Sequence, residues 1–150
     1  DRAVAEAGAE AVGPEKIHAV DCDIYAPCAL GGSLGADTIP ELRCAAVVGA
    51  ANNQLAEGVA SARLLADAGV LYAPDFVVNA GGLINIAEEL APGGYRAERA
   101  RTAVQRIFDT VTSVLQAAEV DGVTTAEAAD RRAERRIAAL SAVHQIRTPT

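Results

Sequence analysis

The chain has 150 residues, 51% of them apolar, which is enough to bury one core against the entropy of ordering it. Its net charge of −7, with two Phe and three Tyr as the main stacking surfaces, excludes nucleic acid as an expected partner. Cys22, Cys28 and Cys44 are odd in number and lack CxxC spacing, so neither a disulfide framework nor a metal cage is expected, and a reducing cytoplasm fits best. No signal-peptide pattern opens the chain, and apolar runs such as Cys44 to Ala51 fall far short of the roughly 20 residues that span a bilayer, so no membrane is expected either.

The elements read as follows in chain order. Residues 1–11 have helical composition and end at Gly13-Pro14. Because the opening Asp1-Arg2-Ala3-Val4 reads as mid-helix with no initiator Met, the chain is expected to be a piece of something longer. Val20 to Ala26 reads as a buried strand that stops at Pro27. Thr38-x-x-Glu41 has capping-box spacing, with Pro40 suited to a first helical turn. Ala45 to Ala51 suits a strand covered on both faces. A helix from Leu55 to Ala68, a left-handed cap at Gly69 and a strand at Val70-Leu71-Tyr72 follow.

Further on, Leu83 to Leu90 is helical, and Ala97, Ala100, Val104, Ile107, Phe108, Val111, Leu115 and Ala118 mark one stripe of a long amphipathic helix. Gly122 stops it. Thr124-x-x-Glu127 then offers a second capping box, opening a helix to about Leu140 that carries Arg131, Arg132, Arg135 and Arg136 on what is most simply a solvated or salt-bridged face. Strand and helix alternate, and the strands lack polar-out periodicity. That combination predicts an α/β fold with a parallel sheet, followed by long C-terminal helices. Ligands of such sheets bind beyond the carboxyl ends of the strands.

That rule directs attention to Pro27-Cys28-Ala29, Ala51-Asn52-Asn53 and Asn79-Ala80-Gly81-Gly82. Paired glycines before a helix let a flat ring approach the backbone, a helix N-terminus favours an acceptor, and an Asn amide both donates and accepts. Leu83 and Ile86, three apart, share a helical face and could wall an apolar side chain. On local pattern alone the plainer account is a tight structural loop, with Leu83 and Ile86 as ordinary core. Asn52-Asn53 serves equally as a helix cap. Cys28, with no His or Lys nearby in sequence, reads as a small buried thiol. His18 and His144 have no acidic or Ser partner at an interpretable spacing and read as non-catalytic. Gly31-Gly32-Ser33-Leu34-Gly35 has the spacing of neither GxGxxG nor a P-loop.

Four segments taken in order are more specific than any one of them. Asp23-Ile24-Tyr25-Ala26-Pro27-Cys28-Ala29-Leu30-Gly31, Gly49-Ala50-Ala51-Asn52-Asn53-Gln54-Leu55, Tyr72-Ala73-Pro74-Asp75-Phe76 and Asn79-Ala80-Gly81-Gly82 together resemble the glutamate/leucine/phenylalanine/valine dehydrogenase family over nearly the whole chain. The resemblance implies a Rossmann-like sheet, with residues 1–95 as the C-terminal portion of an NAD-binding domain and residues 96–150 as a helical segment packing on it. It implies an oxidoreductase that deaminates an L-amino acid to its 2-oxo acid with NAD, in a homo-oligomer.

By the same resemblance Cys28, Ala29, Ala51, Asn52, Asn79, Gly81 and Gly82 face the cofactor, while Asn52, Leu83 and Ile86 face the substrate. An apolar Ile86 would leave a glutamate carboxylate buried and unpaired, which points to leucine, valine or isoleucine, with phenylalanine as the alternative. The following Ala87-Glu88-Glu89-Leu90 is similar to leucine and valine dehydrogenases. The family's catalytic lysines, proton-shuttling aspartate and glycine fingerprint belong to regions before this chain, so it is expected to hold no catalytic residue and to be inactive alone. A rival reading is a non-catalytic dinucleotide-binding or regulatory module. Another is a purely structural interaction module, in which Asn52 and Asn79 would not converge.

Overall fold

The computed structural model describes residues 2–147, with side chains as far as Ala142; the His144 side chain lies outside them. The described chain is α/β. Three short strands, β1 (Ile24–Tyr25), β2 (Ala46–Val47) and β3 (Leu71–Tyr72), form one parallel sheet in the order β1-β2-β3. The helices are α1 (Arg2–Ala7), α2 (Val59–Asp67), α3 (Asp75–Val78), α4 (Gly81–Glu89), α5 (Ala97–Asp121) and α6 (Thr125–Arg147).

Register explains why the strands are shorter than their apolar runs. Ile24, Ala46 and Leu71 stand opposite one another in one row, and Tyr25, Val47 and Tyr72 in the next. Successive residues of a strand face opposite sides. The second row meets the core formed by Leu34, Ile39, Ala62, Leu65 and Val70. The first row does not, since Ile24 is 57% and Leu71 45% exposed. The expectation of a β2 run covered on both faces is therefore corrected: among the described residues only one face is covered. Among the described residues two isolated parallel bridges lie outside the strands, Asp21 to Arg43 and Leu34 to Leu55.

Several local expectations also need correcting. α1 closes at Gly8, which has a left-handed φ of +64°, and the Ala9 N–H donates to the Ala3 carbonyl, so the helix stops well before Gly13. The Thr38 to Glu41 pattern gives a single 3-10 turn and no capping box. The Thr38 hydroxyl instead donates to the Ser33 carbonyl at 2.7 Å and accepts the Gly35 N–H at 3.0 Å. Glu41 is left to pair with His18, 2.9 Å from its Nε2, so this histidine has an acidic partner 23 residues away that spacing did not reveal. α2 begins at Val59, not Leu55, with Gly58 and not Asn52 or Asn53 before its first turn.

The long helices form a hairpin. Gly122 caps α5 in the left-handed conformation, and Val114 and Ala118 pack against Ala128 and Ala129 of α6. The buried face of α5 runs through Ala100, Val114 and Ala118, whereas Val104 and Phe108 of the expected stripe are exposed. Val114 is fully buried in a cluster with the small Ala128 and Ala129 of α6, while Phe108 is 76% exposed. On α6, Arg131 stands 3.9 Å from Asp121 and Arg132 donates to the Ser113 hydroxyl at 2.8 Å.

α6 starts on a genuine capping box. The Thr124 N–H donates to Glu127 at 3.0 Å, and the Glu127 N–H donates to the Thr124 hydroxyl at 3.2 Å. The hydrogen bonds from the Thr124 backbone and hydroxyl hold the Glu127 carboxyl below its usual range, with Arg63 adding to the effect. One residue on, the Thr125 hydroxyl donates to the Tyr72 carbonyl at 2.6 Å and ties the hairpin to β3. Thr124→Ala should cost about 1 kcal/mol of stability in a thermal melt at neutral pH. A depressed carboxyl stabilises the fold above its unfolded pKa and stops doing so as pH falls through the folded one, so the gap between variant and parent should narrow in acid.

Candidate active site

The loops at the carboxyl ends of β1 and β2 touch because residue 49 has no side chain. A Cβ at Gly49 would stand 2.2 Å from the Pro27 carbonyl oxygen and 2.7 Å from its nitrogen. This contact lets the Ala51 N–H donate to the Pro27 carbonyl at 2.9 Å and the Ala50 N–H to the Cys28 sulfur at 3.5 Å. Cys28 is exposed, not a buried thiol, and Ala29 is exposed beside it, while Ala51 is buried.

Asn79 comes to the same place from beyond β3. Its Nδ2 donates to the Ala50 carbonyl at 2.7 Å and to Asn52 Oδ1 at 2.9 Å, joining positions 27 residues apart in sequence. Cys28, Ala51, Asn52 and Asn79 thus form one cluster at the strand ends. That convergence is what a purely structural module lacked. Both Nδ2 protons of Asn79 are used inward, leaving its Oδ1 and the Asn52 Nδ2 without a protein partner among the described residues: one acceptor and one donor presented side by side.

Gly81 and Gly82 are not in a loop, as the sequence suggested. They form the first turn of α4, preceded by α3, which the sequence reading missed because its four residues are too few to show a period. No side chain caps α4, and a Cβ at either glycine would meet nothing within 4 Å. Two residues beyond Asn79 in the chain, the start of α4 therefore has no side-chain cap and open space at both glycines. This donor set fits a carboxamide ring and a carboxylate, and so fits the nicotinamide end of a dinucleotide. Leu83 and Ile86 are 72% and 54% exposed and so are not ordinary core; they form an open apolar face on α4.

Sequence reasoning gave Asp75 no role, and here it is central. Asp75 is buried, accepting the Tyr72 hydroxyl and the Asn53 N–H, each at 2.8 Å. Asn53 is the described non-glycine residue with positive φ, at 53°. From the other side the Gly32 N–H donates to the Asn53 carbonyl at 2.7 Å, and a Cβ at Gly31 would stand 2.5 Å from the Asn52 carbonyl oxygen. Gly31-Gly32 is a clamp on this loop, which explains glycines that match no phosphate motif. The signal available in sequence was the buried-strand context of Tyr72 followed three residues later by an acid.

The comparisons with known proteins show the family to which this fold belongs. The chain belongs to the Glutamate/Leucine/Phenylalanine/Valine dehydrogenase family, whose sequence profile matches residues 2–147. It is 50% identical over 139 residues to the leucine dehydrogenase of Bacillus cereus, covering 93% of this chain and 37% of that protein. It is 51% identical over 123 residues to the valine dehydrogenase of Streptomyces coelicolor, covering 81% of this chain and 33% of that one. The crystal structure of L-tryptophan dehydrogenase from Nostoc punctiforme superposes with a TM-score of 0.85 at 47% identity, covering 89% of this chain and 39% of that chain. The chain therefore spans a little over a third of the length of the relatives it matches.

Burial, and then the hydrogen bond to Asp75, push the Tyr72 hydroxyl above the usual tyrosine range. The folded state keeps this proton when the unfolded chain releases it, so stability should fall as pH rises past about 10. In an ultraviolet titration of the folded chain, Tyr72→Phe should remove the phenolate signal that appears latest.

Proposed function

We propose that this chain supplies the nicotinamide- and substrate-facing part of an NAD-dependent amino-acid dehydrogenase, a cytoplasmic homo-oligomer that interconverts an apolar L-amino acid with its 2-oxo acid and ammonia. The observation that carries this reading is the Asn79 to Asn52 hydrogen bond at the strand ends, beside the uncapped start of α4. In this reading Asn52 donates to the substrate carboxylate, Asn79 with Gly81 and Gly82 faces the nicotinamide, and Ala51, Cys28 and Ala29 lie along the ribose. When bound, the dinucleotide accepts the hydride from the substrate's α-carbon; the residues here bind and orient.

Substrate class follows from Leu83 and Ile86. Neither offers a donor to a distal carboxylate, and burying one there without a partner costs several kcal/mol. Leucine, valine or isoleucine fit best, with phenylalanine as the alternative; the named relatives act on leucine, valine and tryptophan, all of them apolar. The division into a nucleotide-binding portion over 1–95 and a helical segment over 96–150 belongs to the same proposal.

A second reading, a dinucleotide-binding module without chemistry, keeps the same cluster and predicts binding without turnover. The deciding experiment takes the protein that carries this chain at its relatives' length, with NAD and NADP and a panel of amino acids. Apolar substrates should exceed glutamate in kcat/KM by roughly a hundredfold or more. Turnover restricted to glutamate would overturn the substrate assignment, and binding without any turnover would favour the module. The 150 residues alone should reduce no NAD with any member of the panel.

A further inference from the structure

An acid at the start of a helix ordinarily spends its oxygens on that helix's own free N–H groups. Asp75 does not. It is the first residue of α3, yet its carboxylate reaches 22 residues back to the Asn53 N–H, and its other oxygen takes the Tyr72 hydroxyl. Asp75 is only 7% exposed, and among the described residues its carboxylate has no salt bridge to Lys or Arg. A buried anion without a cation is costly, and the donors that compensate it are the ones it orders.

The same residue also holds the other half of the pair. Through its main chain, the Asp75 carbonyl accepts the Asn79 N–H at 2.8 Å, fixing the residue whose amide meets Asn52. The side chain of Asp75 thus sets the loop carrying Asn52, while its backbone sets Asn79. Tyr72, 3% exposed, anchors the carboxylate so that one oxygen remains directed at Asn53. On the far side of the loop the Gly32 N–H binds the Asn53 carbonyl at 2.7 Å, and the buried Gln54 side chain donates to the Ala51 carbonyl at 2.9 Å, so Asp75 holds the Asn53 N–H of a loop that is tied down on both sides of it.

We propose that Asp75 is a positioning residue for amino-acid binding: by holding the Asn53 N–H and the Asn79 backbone together, it sets the Asn52 amide at the distance from Asn79 that receives the substrate carboxylate. This rests on the reading of the site given above. Asp75 touches neither cofactor nor substrate, and its effect passes through Asn52. Asn at position 75 has one acceptor oxygen in place of two and no charge, so Asp75→Asn weakens the hold on the Asn53 N–H while preserving shape.

The test is steady-state kinetics on the protein at its relatives' length, with its best apolar substrate. Asp75→Asn should raise the KM for the amino acid about tenfold and leave kcat within about threefold. In an Asn52→Ala background the same substitution should change KM by less than about twofold, because the group it positions is gone. An equal factor in both backgrounds, or no rise in either, overturns the positioning role.

Asn52→Ala separates the two levels. If it raises KM and Asp75→Asn does not, the positioning role alone falls; if it leaves KM unchanged, the reading of the site falls, and this inference with it. Should Asp75→Asn fail to fold by circular dichroism, the near-isosteric Tyr72→Phe takes its place. It should raise KM about threefold in the parent and not in the Asn52→Ala background, and any other pattern overturns the proposal.

Discussion

A methyl group at position 49 would collide with the Pro27 backbone, and most of what is interesting in this chain depends on that space being empty. Short parallel strands bring their ends to a common edge but leave the loops beyond them free to diverge. The backbone contact at Gly49 removes that freedom for the first two loops, placing Cys28 next to Ala50 and setting the direction in which Asn52 leaves the sheet. The third loop is then recruited by side chains, Asn79 from one side and Asp75 from beneath. The cluster is thus assembled by a close approach that sterics permit and by two polar residues that exploit it.

The covered side of the sheet is built for the same end. Tyr25, Val47 and Tyr72 face the core, and Tyr72 belongs at once to that core and to the polar network, since its ring packs while its hydroxyl binds Asp75. Core and site are therefore not separable layers: the packing that buries the Tyr72 ring also determines where the Asp75 carboxylate can stand. The hairpin of α5 and α6 closes the arrangement from the other direction, through Thr125 on the Tyr72 carbonyl and Arg63 near Glu127. No helix among the described residues is long and apolar enough to cross a membrane.

Much of this could be read in the sequence where the signal is local or periodic. The strand and helix alternation, the Gly122 stop and the Thr124 to Glu127 box all appear where their residue types require them. What could not be read depends on partners distant in sequence. Thr38 has the same box pattern as Thr124, yet its hydroxyl binds the Ser33 carbonyl and Glu41 pairs with His18, 23 residues away. Val114 is buried and Phe108 exposed on the same helix, and the partners that bury Val114, Ala128 and Ala129, lie on the next helix. In the site, ordered motifs identified Asn52, Asn79 and the glycines, but no pattern of types or spacing shows that Asp75 reaches Asn53, since that bond exists only after β2 and β3 are paired.

The sequence separations within the cluster have a consequence for how it is made. Its decisive links close over 22, 27 and 29 residues, whereas the tie to the hairpin closes over 53. Loop-closure cost grows only slowly with length, and contacts that are near in sequence form early. Every polar partner of the asparagine pair lies between Pro27 and Asn79, so the cluster's own links all close within that span. The long helices meet that cluster over a wider closure, through Thr125 on the Tyr72 carbonyl, and add none of its polar links.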